Sequence, residues 1–184
     1  MKKLISLVLF VLLSGCAFQD NVDKAIVLRQ QILNSNGCAF DAEITADYSD
    51  KLYTFGMKCT SDTSGNVDFI ITSPETIAGI EGNINAENGQ LRFDDQILVF
   101  DLLTEELITP ISAPWLLMKT LRSGYIDAGG MDGDLYRVQI DDSYEEDPLR
   151  LDIWLNAENL PSCADVFHDG RRVVSIKLEN FQLL

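Results

Sequence analysis

Histidine is nearly absent from this chain, and positive charge is scarce. A single histidine, His168, stands among 184 residues, and 14 lysines and arginines face 29 aspartates and glutamates, for a formal net charge of −15. Nucleic acid is therefore excluded as a partner, because binding a phosphate backbone needs a basic surface. Peripheral adhesion to anionic lipid is disfavoured on the same ground. No zinc-ligand spacing, Walker loop, nucleotide fingerprint or serine-elbow motif occurs. No cofactor and no enzyme class is indicated. Beyond residue 13 no apolar run approaches the about 20 residues that a membrane-spanning helix requires. There are no internal repeats and no low-complexity linker.

The first residues are the most informative. Lys2 and Lys3 precede an apolar run from Leu4 to Leu13, broken only by Ser6, and Leu13-Ser14-Gly15-Cys16 follows. A charged flank, a short apolar core and small residues before a cysteine form a secretion signal over residues 1–15 ending in a lipobox. The Cys16 thiol is expected to take a diacylglyceryl group. Signal peptidase II then cuts before it, leaving Cys16 as the acylated N-terminus. Each buried methylene contributes roughly 0.8 kcal/mol, so two or three acyl chains hold a protein without a transmembrane helix. Residues 16–184 suit one domain with a real core. It is expected outside the cytoplasmic membrane and tethered to it, or to the outer membrane in a host that has two. With Lys2 and Lys3 removed, the body is more acidic still, near −17.

Three cysteines remain after Cys16 is acylated, and export permits a disulfide. Cys38 opens one expected strand and Cys59 closes the next. A loop at residues 47–50 would set them opposite each other, with Phe40, Ala42 and Ile44 facing Met57, Phe55 and Tyr53. That register predicts a Cys38–Cys59 bridge; two buried thiols are the alternative. Cys163 is read as a buried free thiol. A Cys163–His168 nucleophile and base has no oxyanion-hole motif beside it, so no catalytic residue is assigned. The run from Asp141 to Asp147 has the oxygens for calcium but lacks the glycine of a tight metal loop. Asp127, Asp132 and Asp134 around Gly129, Gly130 and Gly133 are weaker still. Both read as solvated hairpin loops, and no metal site is assigned.

Hydrophobic periodicity gives the coarse plan. Residues 20–33 read as a helix, stopped by Asn34-Ser35-Asn36-Gly37. Strands are expected over 38–46, 51–59, 67–72, 79–86, 91–93 and 97–100. Residues 102–108 read as a short helix. Pro110 to Pro114 is a rigid connector into a helix over 115–122, with Pro114 acceptable in its first turn. Strands return over 135–140, 149–155, 161–167 and 173–178. The plan is mainly β: an antiparallel meander of about nine or ten strands, with an N-terminal helix and an inserted helix. A sheet that large must curl to bury one face, and the inserted helix fills the concave side.

Three pieces carry a family resemblance. They are the hairpin "GCAFDAEIT" and "LYTFGMKC", the stretch "VDFIITSPETIAGIEGNI" followed by "GQLRFDDQIL", and the helix "APWLLMKTL". Together they resemble the LolA/LolB-like lipoprotein-carrier fold, and within it the short anchored lipoproteins of the GerS type. The resemblance covers most of residues 20–184 as topology, and is specific as local sequence over about 66–100. It implies a non-enzymatic half-barrel with an apolar concave surface, which in carriers holds acyl chains. LolA-type carriers are soluble shuttles, whereas this chain is itself expected to be anchored. Two readings follow. In the first, a lipid or acyl chain, or an envelope protein partner, binds the concave face against Trp115, Leu116 and Leu117, with Phe55 and Phe69 beside them. In the second, the same residues fill a closed core, and the protein is a structural adaptor without a ligand.

Overall fold

A computed structural model describes residues 22–47, 51–104 and 107–184, and no side chain within 103–108. Cys16 and the signal lie outside the described residues. The first helix, α1 (Asp23–Asn34), buries Ala25, Leu28 and Ile32 at helical spacing. The chain then forms β1 (Cys38–Asp47), β2 (Leu52–Ser61), β3 (Val67–Ser73), β4 (Glu81–Ile84), β5 (Gly89–Phe93) and β6 (Gln96–Phe100). Two two-residue strands follow, β7 (Leu103–Thr104) and β8 (Leu107–Ile108), where a short helix was expected. A 3-10 turn at Pro110–Ser112 leads into α2 (Ala113–Ser123). The chain ends with β9 (Tyr125–Asp132), β10 (Leu135–Asp141), β11 (Arg150–Leu155), β12 (Pro161–His168) and β13 (Arg171–Leu183).

Eleven of these strands make one antiparallel sheet, in the order β6-β5-β4-β3-β2-β1-β13-β12-β11-β10-β9. The fold class is the expected one, an open curved half-barrel; the main sheet has eleven strands, where about nine or ten were anticipated. β1 and β13 form the seam between an N-terminal and a C-terminal half. Backbone bonds from Asn36 N–H to the Leu184 carbonyl and from Leu184 N–H to the Gly37 carbonyl, both 2.9 Å, prolong that seam. Alternation along the strands selects one face for burial. On β1 it buries Cys38, Phe40, Ala42, Ile44 and Ala46, and on β11 Leu151, Ile153 and Leu155. The helices lie on this inner face, where α2 touches α1, β2, β10 and β13.

Two glycines show how the N-terminal half is packed. Phe69 pairs across strands with Gly82, and Phe100 with Gly89. A β-carbon on either glycine would collide with the facing ring. Each ring therefore lies over a glycine that leaves room for it, an arrangement that stabilises glycine within a sheet. At Gly82 a β-carbon would also stand 2.6 Å from the Gln90 carbonyl oxygen. Gly82→Ala is expected to cost roughly 1–2 kcal/mol through overpacking, read as a lower urea midpoint at unchanged slope.

Candidate functional site

α2 is apolar around most of its girth, the pattern of a helix enclosed on all sides. Leu116, Leu117, Met118 and Leu121 are each 3% exposed or less. It is locked from above by α1. The Arg29 guanidinium donates to the carbonyls of Leu121 at 2.8 Å, Thr120 at 3.3 Å and Gly124 at 2.7 Å. The Thr120 carbonyl also accepts the Gly124 N–H at 2.9 Å, while Leu121 belongs to the last turn, where a helix leaves carbonyls without an intrahelical partner; a cation there also meets the negative end of the helix dipole. Burial lowers the Arg29 pKa from its usual value, which starts high enough for the group to remain charged. No periodicity in the sequence marks Arg29, since its partners are main-chain atoms some 90 residues away.

The five residues expected to line a ligand site do not meet in one place. Leu117 is wholly enclosed between helix and sheet. Phe69 is buried over Gly82. Phe55 is half-buried and packs on the edge of the core. Trp115 and Leu116 alone share a cavity, a partly open notch of ≈ 370 Å³. Leu102 and Leu149 complete its apolar floor, with Glu87 and Asp101 on one lip and Lys119 and Asp142 on the other. Residues from the two halves of the sheet thus face one hollow, which shows how far the sheet curls. Lys119 Nζ is 2.8 Å from an Asp142 carboxylate oxygen and 5.7 Å from the centroid of the Trp115 ring. The second Asp142 oxygen accepts the Leu149 N–H at 2.8 Å. The lip is therefore tied together, and the half-buried indole is held by a cation over its face. The volume falls near the lower end of small-ligand pockets, roughly 300–1,000 Å³.

The expected Cys38–Cys59 bridge is corrected. Cys38 pairs with Ser61 and Cys59 with Phe40, a register two residues away from the expected one, and both thiols are free. Diagonal neighbours on one face stand about 7–8 Å apart, beyond the Cα reach of a disulfide without backbone movement. Burial raises the pKa of both thiols, so little reactive thiolate forms. Cys163 is half-exposed on the outer face, not buried, with its pKa also raised, first by desolvation. Among Cys38, Cys59 and Cys163, alkylation of the native protein at pH 8 is expected to label Cys163. Unfolding without reductant should add two further labels, at Cys38 and Cys59, counted by intact mass; a bridged pair would add none.

The remaining polar candidates do not assemble into a reacting site. Cys163 and His168 lie five residues apart along β12, about 16 Å at strand spacing, and His168 Nε2 is 3.8 Å from Asp169. In the acidic region, Arg150 bridges Asp127 at 3.2 Å and Asp141 at 3.3 Å. Among the described residues no group of three or more histidine, cysteine, aspartate or glutamate side chains is placed to hold a metal ion. No helix among them is long and apolar enough to cross a membrane.

No protein-family model matches the chain, and no curated protein matches it in sequence. Solved structures match it in fold. A LolA superfamily protein from Nitrosomonas europaea aligns with a TM-score of 0.46 at 11% identity, over 87% of this chain and 93% of that one. A chain of the complex between the CwlD amidase and the GerS lipoprotein of Clostridioides difficile gives 0.45 at 11%, over 89% and 96%. The Mycobacterium tuberculosis lipoprotein LppX gives 0.39 at 8%, over 86% and 95%. The likeness is one of fold alone.

Proposed function

We propose that this chain is a lipid-anchored, extracytoplasmic binding lipoprotein, tethered through acylated Cys16, that takes an apolar chain at the mouth of its half-barrel. The observation that carries the reading is the notch at Trp115 and Leu116. It has an apolar floor, a fixed aromatic wall and a polar lip, the usual make-up of a small-ligand site. The ligand class is a single acyl chain or an apolar side chain of an envelope partner, since α2 fills the space that a deeper pocket would need. Leu117, Phe55 and Phe69 are supports in this reading, and Trp115 and Leu116 are the contacts.

A second reading draws on the packing of α2. Leu116, Leu117 and Met118 are buried, and a tightly filled interior favours an adaptor that binds partners by its surface. Native mass spectrometry of protein extracted from its own membrane separates the two. The binding reading expects a co-purifying lipid on the wild type, reduced by about tenfold or more in Trp115→Ala, as loss of a buried aromatic contact implies. Absence of bound lipid from the wild type would leave the adaptor. In the same spectra Cys16→Ser is expected to lose the mass of the acyl groups.

A further inference from the structure

β6 is the last strand of the sheet on its N-terminal side. A two-residue turn, Asp94-Asp95, joins it to β5, with Asp94 at φ 50°. In such a hairpin the pair flanking the turn, Phe93 and Gln96, is hydrogen-bonded, and bonded pairs then alternate along the ladder. Leu91–Leu98 and Gly89–Phe100 are therefore bonded as well. The N–H and C=O groups of Ile97 and Val99 point away from β5, and among the described residues no strand pairs with that edge.

The side chains do not guard it. Ile97 is 62% exposed and Val99 57% on the outer face, while Leu98 at 62% and its neighbour Phe93 at 59% are open on the inner face. A strand that is apolar on both faces has the composition of a sheet interior, and an unpaired one is a template for another strand. Its ends are acidic: Asp94 and Asp95 at one, Asp101 at the other.

These charges select the occupant. A second copy using all four outward groups would pair Ile97 with Val99 about a centre at Leu98. That register opposes Asp95 to Asp101 twice, between strongly acidic chains, −15 over the full sequence and more negative without Lys2 and Lys3. Like charges directly opposed across strands destabilise pairing. We infer that the β6 edge receives an extended segment of a partner protein, apolar at its centre and bearing lysine or arginine at both ends, which joins the sheet as a twelfth strand. Main-chain bonds at Ile97 and Val99 hold it, and the aspartates set its identity. This surface shares Asp101 with the rim of the notch at Trp115, but Ile97 and Val99, whose main-chain groups hold the segment, do not line that notch.

The test uses the full acylated chain in detergent micelles and two capped peptides, Lys-Thr-Val-Ile-Val-Thr-Lys and its glutamate-ended counterpart. Binding is followed by fluorescence anisotropy and by hydrogen exchange. The lysine-ended peptide is expected to bind at least about tenfold more tightly and to slow exchange at Ile97 and Val99. Val99→Pro removes an outward N–H that the sheet does not use, a place where proline is tolerated, so it should abolish binding while leaving the circular dichroism unchanged. Reversing Asp95 and Asp101 to lysine should invert the preference between the peptides. Equal binding of both peptides, or none of either, overturns the proposal. So does protection of Ile97 and Val99 before peptide is added, which would mean the chain covers its own edge or pairs with a second copy. Protection by phosphatidylcholine vesicles but not by peptide would make the strand a lipid contact and equally end it.

Discussion

Leu117→Ala is expected to destabilise the protein by about 3–5 kcal/mol, near the top of the range for leucine truncation in a core. The side chain is fully buried on a helix enclosed by the sheet and α1. α2 is held at both ends, by the Pro110–Ser112 turn and by Arg29, so the surroundings have little freedom to collapse into the void. A loss of that size is a large fraction of the roughly 5–15 kcal/mol that folded domains possess. Urea unfolding should show a large drop in midpoint with an unchanged slope. The same measurement tests the two views of this residue. A side chain lining a solvent-filled pocket would lose less than about 1 kcal/mol, as surface substitutions do. Trp115→Ala, by contrast, is expected to act mainly on ligand content.

The second large effect is expected at Arg29. Replacing it with methionine keeps much of the aliphatic stem and removes three hydrogen bonds to the end of α2. Bonds to a charged donor are worth roughly 1.5–3 kcal/mol each, and stranded carbonyls add a desolvation cost, so a loss of about 3 kcal/mol or more is expected. Lysine should recover only part, because a single ammonium cannot reproduce the fork that reaches Leu121 and Gly124 together. Amide exchange near Gly124 should accelerate in both variants, and more in methionine. Equal exchange in wild type and Arg29→Met would show that α2 is held without the clamp.

Much of the fold was legible because alternation and helical spacing are local. The hairpin of β1 and β2, the strands from β10 to β12, and both helices fall within a few residues of their expected limits. The register of the first hairpin was not legible. Moving one strand by two residues leaves every side chain on its own face, so burial favours both pairings equally. The observed register pairs Cys38 with Ser61 and Asp47 with Leu52, and the sequence pattern does not distinguish it from the expected one. β9 escaped notice because its "DAGGMD" carries neither alternation nor β-branched residues; among the described residues it pairs with β10 alone, as an edge strand. Residues 102–108 have a helix-like mixture of apolar and acidic residues, yet β7 and β8 form there, context overriding propensity. Of the residues expected at the concave face, the inserted helix pointed to Trp115 and Leu116, which line one notch, but Phe69 owes its position to Gly82 on the next strand, and Arg29 to carbonyls that have no signature.

The seam between β1 and β13 has a consequence for how the molecule comes into being. The strand that completes the middle of the sheet is synthesised more than a hundred residues after the one it joins. Until it arrives there are two separate half-sheets, each with a raw inner margin. Pairings so distant along the chain are slow to form, and exposed margins invite wrong partners. A truncation before residue 171 would not trim a border; it would leave the two halves with nothing between them.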